Sequence, residues 1–255
     1  FWPADLHMVG KDILRFHAVY WPAFLMAAGL PPPRRVFAHG WWTVEGQKMS
    51  KSLGNVVSPY DIVAKYGLDP VRYFLLREVP FGQDGDFSQR AMVNRLNGDL
   101  ANDFGNLAQR VLSFIQRNAG AQVPEPGPFQ AADERLLGEA RGLLPVLRRE
   151  LDEQAFHKAL DAIWQVVGAA NRYVDEQAPW TLRKTDPERM NTVLYVLAEV
   201  LRHLGILCQP FMPGTMGRLL DQLAVPAQER HFAALETNML KPGTKLPPPG
   251  GIFPR

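Results

Sequence analysis

Lys48-Met49-Ser50-Lys51-Ser52 is the stretch from which the fold of this 255-residue chain can be worked outward. It places two ammonium groups three residues apart on a short polar segment, and Leu53-Gly54-Asn55 follows with residues that permit a tight turn. Lysine carries a compact charge on a flexible stem, so it can follow phosphates whose charge shifts during a reaction. The stretch therefore predicts a polyphosphate-binding loop. A solvated Lys/Ser turn is the alternative, and two lysines alone would favour it.

The composition describes a globular chain without a strong charge bias. Its length favours two domains, and 46% hydrophobic residues suffice for a sizeable core. A formal net charge of +2 does not by itself mark a nucleic-acid binder. Cys208 is the single cysteine, which excludes an internal disulfide and a multi-cysteine zinc site and favours the cytoplasm. The most apolar stretch, 193–208, contains charged side chains, so no membrane span is predicted, and the N-terminus has no signal-peptide pattern.

Residues 1–39 have the pattern of the end of an α/β layer. A short apolar run, 6–9, predicts a strand that stops at Gly10, and apolar residues at helical spacing follow from Asp12. Gly10-Lys11-Asp12 is thereby placed at the carboxyl end of a strand, where open α/β sheets bind ligands. An ordinary turn is the simpler interpretation of that tripeptide alone. A second short strand, 36–38, leads into His39-Gly40.

Beyond residue 57 the sequence becomes mainly helical. Ser58-Pro59 and Asp69-Pro70 each predict the start of a short helix, and Gly67 is placed to end the first. The segment 82–86 lacks the acidic spacing of a calcium loop and is interpreted as a solvated loop.

The remaining periodicity predicts an antiparallel helical bundle. Apolar residues at steps of three and four predict a long helix from Ser88 to about Gly120 and a second, 136–151, kinked at Pro145. Three further helices are predicted within 156–174, 193–204 and 216–223, followed by a mostly extended tail rich in proline and glycine.

The second informative string is Asn171-Arg172-Tyr173-Val174-Asp175-Glu176-Gln177-Ala178-Pro179-Trp180. Asn171 and Asp175 share a helix face, while Pro179 favours a helix end that leaves Trp180 on a fixed turn. Polar side chains one turn before a tryptophan suit a base-reading platform, because an indole stacks on an unpaired base for roughly 1 to 3 kcal/mol. A tryptophan in the bundle core is the alternative.

Together these motifs resemble the methionyl branch of the class I aminoacyl-tRNA synthetases. The stretch 48–52, preceded by His39-Gly40-Trp41, resembles the KMSKS signature loop, and Gly10 to Ile13 with His17 resembles the branch's nucleotide and amino-acid site. The resemblance implies a mainly α fold with two parts. Residues 1–87 would be the end of a Rossmann-like α/β nucleotide-binding domain with its stem-contact fold, and 88–255 an antiparallel helical-bundle anticodon-binding domain with an extended tail.

The resemblance also implies roles for individual residues. Lys48 and Lys51 would be catalytic, stabilising charge that develops on the phosphates of ATP. Asp12 would hold the ATP ribose, and Ile13 and His17 would border the methionine pocket, although a lone His17 would more often be a core histidine. The implied ATP-binding set is Gly10, Lys11, Asp12, His39, Gly40, Lys48, Met49, Ser50, Lys51 and Ser52.

At the other end of the chain, the resemblance implies an anticodon site. Trp180 would stack on the first anticodon base, with Asn171, Asp175 and Pro179 supporting it. Asn106 and Arg110, on the long helix, would be base-edge and phosphate donors, where a solvated helix face is the alternative. The tail would run back along the bundle with Ile252 and Phe253 docked.

One family signature is not present in the sequence. The HIGH turn has no counterpart, and only 47 residues precede Lys48, so we expect the C-terminal part of a synthetase that is inactive alone. The expected partners are ATP with Mg²⁺, methionine and tRNA(Met), with no zinc site in this stretch, no membrane and a monomeric state. The alternatives are a non-catalytic tRNA-binding module, a purely structural helical protein, and a cysteinyl, leucyl, isoleucyl or valyl synthetase.

Overall fold

The structure is a computed structural model and describes residues 2–50 and 52–253. Its first layer is a two-stranded parallel sheet, in which β1 (His7–Gly10) pairs with β2 (Val36–His39) and Gly10 lies opposite His39. The connection is a 3-10 turn, a π-helical segment (Phe16–Tyr20) and α1 (Trp21–Ala27). Parallel pairing brings both carboxyl ends to one edge of the sheet. The predicted order of strand, turn, helix and strand is confirmed.

A second small sheet carries the start of the 48–52 stretch. Its central strand β3 (Trp42–Val44) pairs antiparallel with β4 (Gln47–Lys48) and parallel with β5 (Gly85–Phe87). The interpretation of 82–86 as a solvated loop is therefore wrong for its last two residues, which form most of β5. The Asp86 carboxylate accepts hydrogen bonds from Thr43 Oγ1 (2.6 Å) and from the Gly46 N–H (2.7 Å), and Phe87 packs against Phe74, so polar and apolar contacts together hold this strand.

Two short helices follow, α2 (Pro59–Tyr66) and α3 (Leu68–Arg77). Ser58 caps α2 as predicted, since its side chain accepts the Asp61 N–H, and Gly67 ends it with a φ of 87°.

The predicted cap of α3 is wrong, because the helix begins one residue before Asp69. The buried Asp69 carboxylate instead accepts the backbone N–H of Thr215, in the first turn of a bundle helix. Arg72 adds hydrogen bonds to the carbonyl oxygens of Pro210 and Phe211. Helix α3 is thereby attached to the bundle.

The bundle begins with one long helix, capped by the Ser88 side chain. It comprises α4 (Gln89–Arg95), a π-helical segment (Leu96–Gly105) and α5 (Asn106–Asn118), and it ends where predicted. The other helices are α6 (Ala131–Arg141), α7 (Leu143–Asp152), α8 (Phe156–Gln177), α9 (Pro179–Thr185), α10 (Pro187–Cys208), α11 (Pro213–Gln222) and α12 (Ala234–Thr237). The kink predicted at Pro145 is a break at Gly142, which places the proline in the first turn of α7, where its missing N–H costs little.

Helix α10 forms the centre of the bundle. By length and composition it is apolar enough to cross a membrane. However, 94% of its most apolar 18-residue stretch is buried inside the protein, as expected of a core helix. The tail docks as predicted, with Ile252 and Phe253 buried. Phe253 packs against Phe104 of the long helix, and Arg218 of α11 donates to the Ile252 carbonyl.

Candidate functional site

The carboxyl edge of the parallel sheet gathers the first group of predicted site residues. Gly10 and His39 are the last residues of β1 and β2, and Asp12 lies in the 3-10 turn directly after β1. A Cβ added to Gly10 would lie 2.4 Å from Asp12 Oδ1, so the absence of a side chain leaves room for that carboxylate. A Cβ on Gly40 would lie 2.2 Å from the carbonyl oxygen of Gln83, so two backbone segments meet there. His39 Nδ1 donates to the Gly40 carbonyl (2.9 Å).

Lys11 and Lys48 both lie near the same aromatic ring, that of Trp41. Lys11 Nζ lies 4.3 Å and Lys48 Nζ 5.9 Å from the centre of the Trp41 indole, so the two ammonium groups are no more than about 10 Å apart. Lys11 Nζ also donates to both carboxylate oxygens of Asp84 (2.6 Å each). This hydrogen bond, aided by one from the Trp41 N–H, lowers the pKa of the Asp84 carboxyl.

In the described part of the polar loop after Lys48, the Asn55 side chain makes two hydrogen bonds to the backbone. Asn55 Oδ1 accepts the Ser50 N–H (2.8 Å), and its Nδ2 donates to the Lys48 carbonyl (3.1 Å). Ser50 Oγ and Ser52 Oγ are 2.7 Å apart, and Met49 is half-buried. Lys51, predicted to be catalytic, lies outside the described residues.

Of the two predicted methionine contacts, His17 borders an open apolar groove, whereas Ile13 is not among the residues that line it. His17 Nδ1 donates to the Ile13 carbonyl one turn earlier (3.0 Å), which fixes the ring. His17 lines a groove of about 810 Å³ together with Phe16, Tyr20 and Phe24, all three of which are exposed. The groove has the apolar walls and few polar groups expected of a small-molecule site.

The second group of predicted residues meets at the end of α8. Ala178 adopts a left-handed conformation (φ 43°, ψ 63°), which ends α8 and lets buried Pro179 start α9. Trp180 therefore lies in the first turn of a short helix rather than on an isolated turn. It is 46% exposed, so it is not a core tryptophan, and it borders a recess of about 140 Å³.

Arg110 connects the two helices that form this site. Its guanidinium carbon lies 5.8 Å from the Trp180 ring centre, and its Nη2 donates to Asp175 Oδ1 (2.7 Å). Both charged side chains are substantially exposed, so a ligand can compete for this ion pair. The recess beside Trp180 has apolar walls from Val111, Phe114, Val174, Leu194 and Leu197, with Arg117 also lining it.

Asn171 and Asn106 take other positions. Asn171 Nδ2 donates to the carbonyl oxygens of Asp103 (3.1 Å) and Val167 (3.2 Å), so it links α8 to the long helix. Asn106 lies one turn before Arg110 and lines a different recess, formed with Gly251, Ile252 and Phe253 of the tail. The Trp180 recess itself is not lined by Asn106.

A buried ionic network supports this end of α8. The fully buried Asp133 carboxylate accepts hydrogen bonds from Arg189, from the Tyr173 hydroxyl (2.6 Å) and from the Gln130 N–H (2.9 Å). Burial raises the pKa of the Asp133 carboxyl, but these hydrogen bonds outweigh burial and the pKa lies below its ordinary value. Arg189 also donates to Gln177 Oε1 (2.7 Å), the last residue of α8.

Sequence reasoning missed three residues at these sites. In the sequence Trp41 only precedes the 48–52 stretch, and Asp84 is interpreted as part of a solvated loop, although glycines on both sides of the Gln83-Asp84 pair signal a close backbone approach. Arg117 was not selected because arginines on an exposed helix face are common. Only the fold places it beside Trp180.

The fold and these two sites define a class of protein. The class is the class I aminoacyl-tRNA synthetases, of which this chain has the end of the catalytic domain joined to the anticodon domain. The first part is marked by the parallel strand pair with its glycine-preceded turn and the lysine-bearing hairpin. The second part is the helical bundle with an exposed tryptophan. Family models agree: that for class I tRNA synthetases (M) matches residues 1–112, and that for the anticodon-binding domain of methionyl tRNA ligase matches 123–255. The chain belongs to the methionyl-tRNA synthetase family.

Curated relatives and solved structures agree with this assignment. The chain is 59% identical over its whole length to a methionine–tRNA ligase of Brucella suis and 57% identical to one of Mesorhizobium japonicum, covering 50% and 49% of those proteins. It superimposes with a TM-score of 0.96 on Mycobacterium tuberculosis methionyl-tRNA synthetase in complex with methionyl-adenylate, at 55% identity. The apo form gives 0.93 at 53% identity, and the chain covers 50% of each of these structures. The chain thus spans about half the length of its relatives, and the other class I synthetases are not favoured.

Proposed function

We propose that this chain is the part of a methionyl-tRNA synthetase that carries the KMSKS loop and the anticodon-binding bundle. The intact enzyme would activate methionine with ATP, form methionyl-adenylate and pyrophosphate, and transfer the methionyl group to tRNA(Met). The observation that carries the proposal is the exposed Trp180 indole with the Arg110 guanidinium beside it. Support comes from the relatives, which are named methionine–tRNA ligases, and from the solved Mycobacterium tuberculosis structure in complex with methionyl-adenylate.

In the nucleotide site, this chain supplies the turn and the loop on one side of ATP. Asp12 is proposed to bind the ribose hydroxyls, with Gly10, His39 and Gly40 contributing from the same carboxyl edge of the sheet. Lys48 and Lys51 stabilise negative charge on the phosphates as the bond to pyrophosphate breaks. Lys11, Met49, Ser50 and Ser52 complete the proposed nucleotide contacts, and Ile13 and His17 border the methionine side chain.

Mg²⁺ enters this proposal as the ion bound by the phosphates of ATP. Among the described residues, no three His, Cys, Asp or Glu side chains are grouped to hold a metal ion. We propose that the chain itself carries no zinc site, and that the protein acts in the cytoplasm as a monomer.

At the anticodon site, the bases would be read by stacking and by hydrogen bonds. Trp180 offers an aromatic face to the first anticodon base, and the recess beside it is apolar enough to receive part of an unstacked nucleotide. Arg110 is free to exchange Asp175 for a base edge or a phosphate, because the ion pair is exposed. Asn171, Asp175 and Pro179 fix the platform, and Asn106 would contribute from the neighbouring turn.

The two activities would lie in two parts of the chain, as the sequence predicts. Residues 1–87 would contribute to the nucleotide site and 88–255 to the anticodon site. The buried contacts of Asp69 and Arg72 with the bundle support a fixed connection between these parts. The family models change over between residues 112 and 123, later than the boundary that we propose.

The test is a fluorescence titration of the chain with a CAU anticodon stem-loop and a scrambled loop at two salt concentrations. Trp180→Ala should weaken CAU binding by roughly 1 to 3 kcal/mol, because the stacking face is lost, with little change in melting temperature. Arg110→Ala should weaken binding and reduce its salt dependence if it contacts phosphate, or relax discrimination if it contacts a base.

Trp21→Ala provides the matched control, because that tryptophan is comparably exposed (37% against 46%) but lies in the α/β layer. Equal affinity of the Trp180→Ala variant and the wild type would contradict the anticodon assignment. So would a large loss of stability in that variant.

A further inference from the structure

Asp84 joins three segments that are distant in the sequence. It lies just before β5, its carboxylate binds the Lys11 ammonium group through both oxygens (2.6 Å each), and Oδ1 also accepts the backbone N–H of Trp41 (2.9 Å). Lys11 follows β1, and Trp41 lies between β2 and β3. One carboxylate thus connects the turn after β1 with the segment that leads into the lysine-bearing hairpin.

The position of this carboxylate is set by the backbone. Gly40 is buried, and any Cβ there would lie 2.2 Å from the Gln83 carbonyl oxygen and 2.5 Å from the Asp84 nitrogen. The Gln83-Asp84 peptide therefore rests directly on Gly40, inside the proposed nucleotide site. Exposed ion pairs contribute little to folding stability, and Lys11 and Asp84 are 38% and 51% exposed. Stability alone does not account for such a defined arrangement.

Trp41 extends the effect of Asp84 to the second lysine. Its N–H is held by Asp84, and its exposed ring lies near the ammonium groups of both Lys11 (4.3 Å to the ring centre) and Lys48 (5.9 Å). A shift of the Trp41 backbone would move the ring that both lysines face.

We propose that Asp84 is a positioning residue that fixes Lys11, directly, and Lys48, through Trp41, for binding the phosphates of ATP. The inference rests on the proposed function of these lysines. Asp84 would not touch the phosphates, since two anions repel, and its effect would pass through the lysines it orients. Precise orientation matters because a phosphate clamp acts only where its donors are already aligned.

The direction in which Asp84→Asn changes ATP affinity distinguishes a positioning role from a simple charge effect. Asp84→Asn removes a negative charge beside a site for a polyanion, so electrostatics alone would make ATP bind more tightly. Loss of positioning would make ATP bind more weakly. The asparagine oxygen can still accept the Trp41 N–H, so the variant removes the negative charge and one of the two oxygens that hold Lys11.

The experiment uses the 255-residue chain with Lys11→Arg to assign the Lys11 signal. In the ligand-free wild type, the side-chain ammonium of Lys11 should give a ¹H–¹⁵N signal by NMR, because its protons are held by Asp84, and Asp84→Asn should lose that signal. Titration with ATP should then show at least about threefold weaker binding by Asp84→Asn, about 0.6 kcal/mol. Asp5→Asn, which removes a different exposed ion pair of the same layer, that with Arg34, should bind ATP like the wild type.

Each contrary result has a distinct meaning. An unchanged Lys11 signal in Asp84→Asn would overturn the inference, because Trp41 alone would then hold the lysine. ATP binding by Asp84→Asn that equals or exceeds that of the wild type would overturn only the role of Asp84. A wild-type chain whose lysines show no response to saturating ATP would overturn the proposed nucleotide site, and with it the role of Asp84.

Discussion

Replacing Asp133 by asparagine should lower the free energy of unfolding by about 3 to 5 kcal/mol, the usual cost of removing one partner from a buried ion pair. The carboxylate is fully buried, and Arg189 is only 9% exposed. Its Oδ2 accepts the Gln130 N–H and an Arg189 N–H, while Oδ1 accepts the Tyr173 hydroxyl and a second Arg189 N–H. An amide turns one of these oxygens into a donor, so two hydrogen bonds are lost and Arg189 stays buried without a counter-charge.

Thermal and urea unfolding followed by circular dichroism measures this effect. For a chain of this size, 1 kcal/mol changes the melting temperature by about 2 to 4 °C, so the expected decrease is about 6 to 20 °C. Asp221→Asn is the matched control, because Asp221 also pairs with an arginine (2.7 Å to Arg230) but is 67% exposed. That variant should lose less than about 1 kcal/mol. Equal losses in the two variants would refute the argument from burial.

The same network predicts a dependence of stability on pH. The pKa of Asp133 is lower in the folded protein than its ordinary value, so its contribution is fully present above an unfolded pKa of about 3.9 and is lost as pH falls through the folded value. The difference in stability between the wild type and Asp133→Asn should be constant near pH 7 and should shrink below about pH 4. A difference that stays constant to pH 2.5 in urea titrations would contradict this.

Two further predictions concern the nucleotide site. The 255-residue chain alone should not catalyse methionine-dependent ATP–pyrophosphate exchange, because a site for in-line transfer needs a second wall around ATP and the HIGH turn is not in this sequence; exchange that Lys51→Ala abolishes would refute this. The loop from Lys48 to Asn55 should be more mobile without ATP than the bundle helices, and Asn55→Ala should increase that mobility because Asn55 makes two of its hydrogen bonds. Amide hydrogen exchange measures both effects, and protection equal to that of α10 would count against them.

Local signals in the sequence were sufficient for much of the fold. The Ser58 cap and the Gly67 helix end depend on residues within one turn of each other, and the long helix depends on its own periodicity. The structure confirms all three. The family resemblance also predicts an exposed Trp180 faced by Arg110 and Asn106; the structure places Arg110 beside the ring, whereas Asn106 lines a different recess.

The errors involve contacts between distant residues. Asp69 was predicted to cap the helix that follows it, but its carboxylate accepts the N–H of Thr215, 146 residues away. Strand β5 was missed because Asp86 gives it a polar rather than an alternating pattern, and its partner strand lies more than 40 residues earlier. The Lys11–Asp84 pair spans 73 residues, and no periodicity in either segment indicates it.

The long helix sets an angle as well as a distance between the two proposed sites. It runs without a break from Gln89, beside β5, to Asn118, near Trp180, a length of about 45 Å at 1.5 Å per residue. Each residue advances the helix by about 100°, so a single insertion after Leu96 would turn Arg110 away from Trp180 unless the wider π-helical turns absorbed it. The number of residues in this helix therefore matters to the anticodon site as much as the identity of those residues. Insertions tolerated by this protein should fall in the π-helical segment, and deletions in α5 should be the least tolerated.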